Sequence, residues 1–428
     1  MTEVRPTEKS WITILFLMLG VLGLLLYLTQ ALTMGVMSLM AYFGEQANTA
    51  SAVSNSLLAW SSLFTGLLFI PVVILSIKKL RGQPEPEWLD ETRPFYKKAF
   101  LALLIIWPVV ILLGMWISGE ALLSVFVLGL FNILVAGVPV LAIYTLSRQK
   151  LQSGPSARKW RLFSFSLGFT PWAVILVEVI ALLGVFLVAA LLVAFQITFH
   201  PALEFELQAI FSDISTGMSL EMILQQYGDL INQPIVIFGL VAIIAGIMPL
   251  IEEILKPLAL WMLAGRGLTD QEGFVAGLIT GAAFTLMENL LYFSMAYTSE
   301  EWVFSALLRS TTGVLHMLGS GLVGLGLART WRKGDWPFLA ITFSGAVLFH
   351  SAWNAIALVA SGAPILLFGA EPTFWEQFVF MLPLFFLLIA AVITMILINR
   401  KLRKEQDPTT TKSSQMDTGQ EQQQIMGT

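Results

Sequence analysis

Long apolar stretches recur along this chain and limit its fold more than any other feature. A segment that crosses the hydrocarbon core of a bilayer must satisfy its own backbone N–H and C=O groups, which an α-helix does in roughly 20 residues. Ten stretches reach that length, near residues 11–33, 55–77, 98–118, 121–146, 171–199, 234–264, 273–298, 303–328, 337–361 and 374–399. Of the 428 residues, 57% are hydrophobic and 12% are charged, which leaves too little polar surface for a water-soluble domain. We expect an all-α, polytopic membrane bundle of about ten transmembrane helices.

Lysine and arginine residues occupy every second connection between these stretches. Because such residues favour cytoplasmic loops, their distribution sets the orientation of the chain. The basic connections and terminal segments carry Arg5, Lys9, Lys78, Lys79, Arg81, Arg93, Lys97, Lys98, Arg148, Lys150, Arg158, Lys159, Arg161, Arg266, Arg329, Arg332, Lys333, Arg400, Lys401, Arg403, Lys404 and Lys412. The connections on the opposite side carry none. This alternation predicts an even number of helices with both the N and the C terminus in the cytoplasm.

Polar residues inside the apolar stretches divide the chain unequally. In the first five helices the acidic candidate is Glu178, whereas helices six to nine carry five charged groups and two histidines. The chain has no cysteine, which excludes disulfides, thiolate metal sites and cysteine nucleophiles. We predict an N-terminal four-helix region at 1–170, a fifth helix with an acidic outer loop at 171–233, a candidate catalytic membrane core at 234–361, a last transmembrane helix at 362–399 and a disordered cytoplasmic tail at 400–428.

Helix six carries two adjacent glutamates and a lysine one turn later. Glu252 and Glu253 precede Lys256 by four and three residues, so both carboxylates share one cation on a helix. Pro249 and Pro257 flank this group, and each removes a backbone N–H. The helix is therefore predicted to be kinked around the glutamates.

Three further helices contribute polar groups at a similar depth. Helix seven carries Glu288 followed by Asn289, helix eight carries His316, and helix nine carries His350 with Asn354 one turn further on. At 1.5 Å per residue, Glu252, Glu288, His316 and His350 lie roughly 18 to 22 Å from the cytoplasmic ends of their helices. Because a charged side chain at mid-bilayer costs about 3 kcal/mol or more, these groups are expected to converge on one cavity.

Small residues on helices seven and eight predict that these two helices pack closely beside the cavity. Gly273, Gly277 and Gly281 follow one another at four-residue spacing, and Gly321, Gly324 and Gly326 lie on the next helix. Small residues at such spacing allow helix backbones to approach closely inside a membrane.

Crowded carboxylates and imidazoles have the chemistry for amide hydrolysis. The reaction needs a base for water, an acid for the leaving amine and a donor or cation for the oxyanion. The candidate catalytic residues are Glu252, Glu253, Glu288, His316 and His350, with Lys256, Asn289 and Asn354 in support.

These residues resemble the motifs of the PrsW family of intramembrane proteases, which is related to the CAAX prenyl protease and bacteriocin-immunity superfamily. The first motif is Glu252-Glu253-x-x-Lys256, and the second is Phe284-x-x-x-Glu288-Asn289. His316 corresponds to the third motif and His350-x-x-x-Asn354 to the fourth. The four motifs occur in order within about residues 235–356.

The resemblance implies cleavage of membrane-embedded or membrane-adjacent proteins, including single-span anti-sigma-factor-like proteins, in a prokaryotic cell membrane. It leaves two mechanisms open. In one, His316, His350 and Glu288 or Glu252 bind a zinc ion and the remaining glutamate is the base. In the other, which needs no metal, Glu252 activates water directly, His316 assists and His350 with Asn354 donates to the oxyanion. No nucleic-acid partner is expected.

Two other functions remain as alternatives. A proton-coupled transporter could use the same acids and histidines as a relay, although the chain lacks the internal repeat on which many transporters are built. A catalytically silent scaffold could bind membrane proteins, although every motif position here is intact.

Overall fold

The computed structural model describes residues 10–45, 47–86, 94–199, 202–218, 222, 226, 233–294, 299–368 and 374–405. Within these ranges all regular elements are helices, and nine are long and apolar enough to cross a bilayer. The remaining predicted span, 98–118, coincides with the helix Pro94–Ser118, whose apolar part Leu104–Ser118 is shorter. The prediction of an all-α polytopic membrane bundle is confirmed. The positions of the termini and the domain boundaries remain predictions, and residues 406–428 of the tail lie outside the described ranges.

Eight helices make up the N-terminal part of the bundle. In chain order they are α1 Ser10–Phe43, α2 Thr49–Leu67, α3 Ile70–Leu80, α4 Pro94–Ser118, α5 Ala121–Phe126, α6 Leu128–Ser147, α7 Ser156–Gly168 and α8 Thr170–Phe199. The predicted break between the third and fourth spans is present between Ser118 and Ala121. A surface helix, α9 (Ala202–Ser215), follows in the acidic outer connection.

The sixth predicted span is interrupted as its prolines require. It consists of α10 (Pro234–Ala242), a π-helical turn (Ile243–Ile247), α11 (Met248–Leu255) and the short α12 (Leu258–Trp261). Pro257 has no N–H to continue α11, so that helix ends where Lys256 N–H donates to the Glu252 carbonyl at 2.8 Å. The helix is thus interrupted on both sides of the glutamates, where a kink was predicted, and the sequence did not predict the π-helical turn.

Four long helices follow. They are α13 Asp270–Phe293, α14 Ser299–Lys333, α15 Trp336–Phe368 and α16 Phe374–Lys404. Most side chains of α13 and of the 302–333 part of α14 are buried inside the bundle, so this pair forms its centre.

Glycines bring α13 and α14 into backbone contact. A Cβ added at Gly281 would lie 2.6 Å from the His316 carbonyl oxygen, and one at Gly273 would lie 2.6 Å from the Gly324 carbonyl oxygen. A Cβ at Gly277 would meet the carbonyl oxygen of Ser320. The predicted close approach is therefore present, and it fixes His316 relative to α13.

The N-terminal helices support this central pair. Trp302 of α14 is fully buried, donates from Nε1 to Asn132 Oδ1 of α6 at 2.7 Å and packs on Gly114 of α4. An apolar core joins α1 to α6 with buried residues of α13 and α14 such as Leu290 and Ala306. The site-bearing helices are thus held by the rest of the bundle.

Candidate active site

Lys256 is the centre of a buried cluster. The side chain is 0% exposed, and its Nζ lies 2.8 Å from Glu252 Oε2, 2.9 Å from Glu253 Oε1 and 2.7 Å from His316 Nδ1. An ammonium group has three N–H donors, so these contacts use all of them. The Phe284 ring covers the same ammonium, with its centroid 4.7 Å from Nζ. A lysine can be buried here because each donor has a partner and two carboxylates balance its charge.

His316 lies between two oppositely charged groups. Its Nδ1 faces Lys256, and its Nε2 lies 2.9 Å from Glu288 Oε2. Since an ammonium can only donate, Nδ1 must accept and Nε2 must carry the proton. The neighbours therefore select one neutral tautomer, with its lone pair directed toward Lys256.

Glu253 connects Lys256 to the second imidazole. Its Oε1 lies 3.0 Å from His350 Nδ1, and His350 Nε2 lies 3.8 Å from Glu252 Oε2. The two histidine rings meet edge to face, with 4.9 Å between centroids. Glu253 Oε2 is buried and has no hydrogen-bond partner among the described residues.

Arg309 belongs to the cluster, although the sequence did not predict it as a site residue. Its Nη2 lies 2.5 Å from Glu288 Oε2, and its guanidinium lies over the Tyr292 ring at 4.1 Å. Asn289 fixes it further: Arg309 Nε donates to Asn289 Oδ1, and Asn289 Nδ2 donates to the Arg309 carbonyl, both at 3.2 Å. The signal in the sequence is its position seven residues before His316, which places both side chains on one face of α14.

The predicted site residues are thus brought together, with one exception. Glu252, Glu253, Lys256, Glu288, Asn289, His316 and His350 form one continuous polar cluster. Asn354, in contrast, donates from Nδ2 to the Ile244 carbonyl at 3.0 Å.

One group of side chains in the cluster has the arrangement of metal ligands. One ligand atom from each of Glu252, His316 and His350 lies within 4.8 Å of the others, and all three residues are buried. Glu288 lies on the far ring nitrogen of His316 and does not belong to this group. A carboxylate and two imidazoles are a common ligand set for catalytic zinc.

The cluster is partly open on one side. The side chains of Glu252 and Glu288 are 10% and 18% exposed, whereas those of Lys256, Glu253, His316 and His350 are at most 2% exposed. Helix α8 packs against both α11 and α13, the helices that carry these two glutamates. Glu252 and Glu288 are therefore the most accessible members of the cluster.

A multi-pass helical bundle that buries carboxylates and imidazoles in one cluster defines a candidate intramembrane hydrolase. The chain belongs to the PrsW family of intramembrane metalloproteases, whose family model matches residues 170–392. This match includes α8 and much of α16 and is wider than the motif region 235–356. No curated protein and no solved structure matches the chain.

Proposed function

We propose that this protein is a metal-dependent intramembrane endopeptidase that cleaves membrane-embedded or membrane-adjacent proteins. The observation that carries the proposal is the convergence of Glu252, Glu253, Glu288, His316 and His350 from α11, α13, α14 and α15 into one buried cluster. Membership of a metalloprotease family supports the same reaction class.

Glu252, His316 and His350 would hold the metal, with zinc as the candidate. Their donor set is that of a catalytic zinc site. The charges favour an added cation, because three carboxylates face two cationic side chains, Lys256 and Arg309. Lys256 already contacts Glu252 and His316, so metal binding requires its ammonium to move away from both. A bound zinc ion supplies a Lewis acid and lowers the pKa of bound water.

Each histidine has a carboxylate on the ring nitrogen that faces away from Glu252. Glu288 contacts His316 Nε2, and Glu253 contacts His350 Nδ1. Such carboxylates fix the tautomer and the ring orientation of metal-binding histidines. Both histidines are therefore prepared to present their other nitrogen toward Glu252.

Glu253 is the general base in this proposal. Glu288 has Arg309 and His316 on the same carboxylate oxygen, whereas Glu253 Oε2 has no partner among the described side chains. This carboxylate oxygen is therefore available to accept a proton from the attacking water. The same carboxyl group can then return the proton to the leaving amine.

The substrate class is inferred from the position of the cluster inside a bundle of candidate membrane-spanning helices. A site between membrane-spanning helices suits a transmembrane segment that unwinds locally to expose a peptide bond. A single-span protein of the anti-sigma-factor type fits this description, and that partner is carried by the family resemblance.

Paired glutamate substitutions test the proposal. The wild type, Glu252→Gln and Glu253→Gln are co-expressed with a panel of tagged single-span membrane proteins, and shortened fragments are detected by blotting. Glu120→Gln is the control, because Glu120 lies at the start of α5 with no side-chain capping bond. Fragments are expected with the wild type and with the control only.

Metal content measured on the purified proteins separates the two glutamates. Glu252→Gln is expected to lower it, whereas Glu253→Gln keeps an oxygen to accept from His350 and retains the metal. Unchanged substrate bands with well-folded wild type across the panel would contradict proteolysis and favour transport or scaffolding. Equal metal loss in both variants would contradict the separate roles.

A further inference from the structure

The π-helical turn before the catalytic glutamates leaves the Ile244 carbonyl without a backbone donor in register. In this turn the Met248 N–H donates to the Ile243 carbonyl, five residues earlier. The same register would pair the Ile244 carbonyl with the N–H of residue 249, but that residue is Pro249. Inside a bilayer an unsatisfied carbonyl is costly, because no water replaces the missing donor.

Asn354 supplies the missing donor from a different helix. Its Nδ2 lies 3.0 Å from the Ile244 carbonyl oxygen, and α15 packs along the π-helical turn. Asn354 lies one turn beyond His350 on the same face of α15. One helix face thus contacts the turn through Asn354 and the catalytic carboxylate Glu253 through His350.

The register of this turn determines where the glutamates point. One residue inserted into a helix rotates everything after it by about 100°, because a regular α-helix has 3.6 residues per turn. Glu252 and Glu253 lie in the second helical turn after it, so they reach His316 and His350 only while it persists. Single π-helical turns occur frequently at functional sites.

We propose that Asn354 is a positioning residue that holds the π-helical turn at Ile244 and so directs Glu252 and Glu253 toward the histidines. It acts on the Ile244 backbone and not on the scissile peptide. This differs from a role as oxyanion donor, for which the amide would have to face the reacting carbonyl. The functional part of this inference rests on the proposed protease activity, and the structural part does not.

A substitution that returns the missing backbone donor tests this role. Asn354→Ala removes the side-chain donor, whereas Pro249→Ala adds an N–H in register with the Ile244 carbonyl. Asn354→Ala is expected to lower the melting temperature of the detergent-purified protein by about 2 to 4 °C. It is also expected to lower kcat by tenfold or more, with a smaller change in KM, on whichever substrate the co-expression panel identifies. Pro249→Ala alone should keep both properties, and the double variant should recover most of both losses.

Asn399→Ala is the matched control. Asn399 is also a buried asparagine that donates to backbone carbonyls, those of Ser147 at 2.8 Å and Gln149 at 3.0 Å, but it lies near the end of α16. Its loss should lower the melting temperature without lowering the activity of the folded protein, and Pro249→Ala should not correct it.

Three results would overturn the inference. The double variant could melt no higher than Asn354→Ala, Asn354→Ala could lose activity at an unchanged melting temperature, or Pro249→Ala alone could be inactive. The second result would place Asn354 at the reacting carbonyl, and the third would assign control of the turn to the proline itself. If the wild type cleaves nothing, the protease proposal fails, while the melting comparison still decides whether Asn354 holds the turn.

Discussion

At the scale of single residues, the cluster is a chain of charged groups linked through the neutral imidazole of His316. It runs from Arg309 through Glu288, His316 and Lys256 to Glu253, and each adjacent pair is separated by 2.5 to 2.9 Å. Each member fixes the position of the next. Because buried charged groups destabilise a fold when one partner is missing, the outermost member has a large effect on the whole chain.

Arg309→Met is expected to destabilise the protein by about 3 kcal/mol, because it leaves the largely buried Glu288 without its cation. Adding Glu288→Met should recover most of the thermal stability, since two packed apolar side chains replace the ion pair. Cleavage should not recover, because His316 then lacks the carboxylate on Nε2. Thermal unfolding and fragment blots on the two variants and the wild type provide the comparison. Recovery of cleavage in the double variant would show that Glu288 has no part in the reaction.

The sequence predicted which residues form most of the cluster, but it did not predict which side chains contact one another. Depth counted along each helix placed Glu252, Glu288, His316 and His350 at one level, because a straight helix has a fixed rise per residue. It did not place Arg309 on Glu288, since depth gives no rotation about the helix axis. Asn354 was grouped with the catalytic residues for the same reason. Its contact with Ile244 depends on a π-helical turn that no residue spacing reveals.

At the scale of elements, the site depends on the contact between α13 and α14. Gly273, Gly277 and Gly281 place α13 directly on the backbone of α14, at Gly324, Ser320 and His316. The four-residue glycine spacing made this contact predictable, because spacing alone places the three residues on one face. Any side chain in this contact must push His316 away from Lys256.

Gly277→Ala is expected to destabilise the protein by about 1 to 3 kcal/mol, because its methyl group would overlap the Ser320 carbonyl oxygen. Gly184→Ala is the matched control, since a Cβ added at Gly184 on α8 would meet no atom within 4 Å. Thermal unfolding of both variants measures the difference. Equal melting temperatures would contradict the close contact.

At the scale of the whole molecule, the order of helices was predictable and their packing was not. Apolar length located each span, because the bilayer sets that length. Length does not determine neighbours, so the burial of α13 and α14 and the support that Trp302 receives from Asn132 emerged only from the fold. The orientation of the bundle in the membrane is predicted from the lysine and arginine residues in its connections.

The absence of cysteine makes this orientation directly measurable. Arg266→Cys lies in a predicted cytoplasmic connection and Glu120→Cys in a predicted outer one. A membrane-impermeant maleimide added to intact cells should label Glu120→Cys, and Arg266→Cys should be labelled only after the membrane is permeabilised. The reverse pattern would invert the proposed topology. Both variants lie outside the cluster, so each should retain the activity of the parent protein.

The pairing of buried charges also bears on how this chain enters a membrane. Lys256 lies within one turn of Glu252 and Glu253, and Glu288 and Arg309 lie on consecutive helices. Each segment that enters the membrane therefore carries its own counter-ion. In the first, Lys256 follows Glu252 and Glu253 within one helical turn. In the second, the hairpin of α13 and α14 contains both Glu288 and Arg309. The cost of placing charge at mid-bilayer is reduced during synthesis, before the four helices meet. The helices can thus be inserted into the membrane before the candidate active site is assembled.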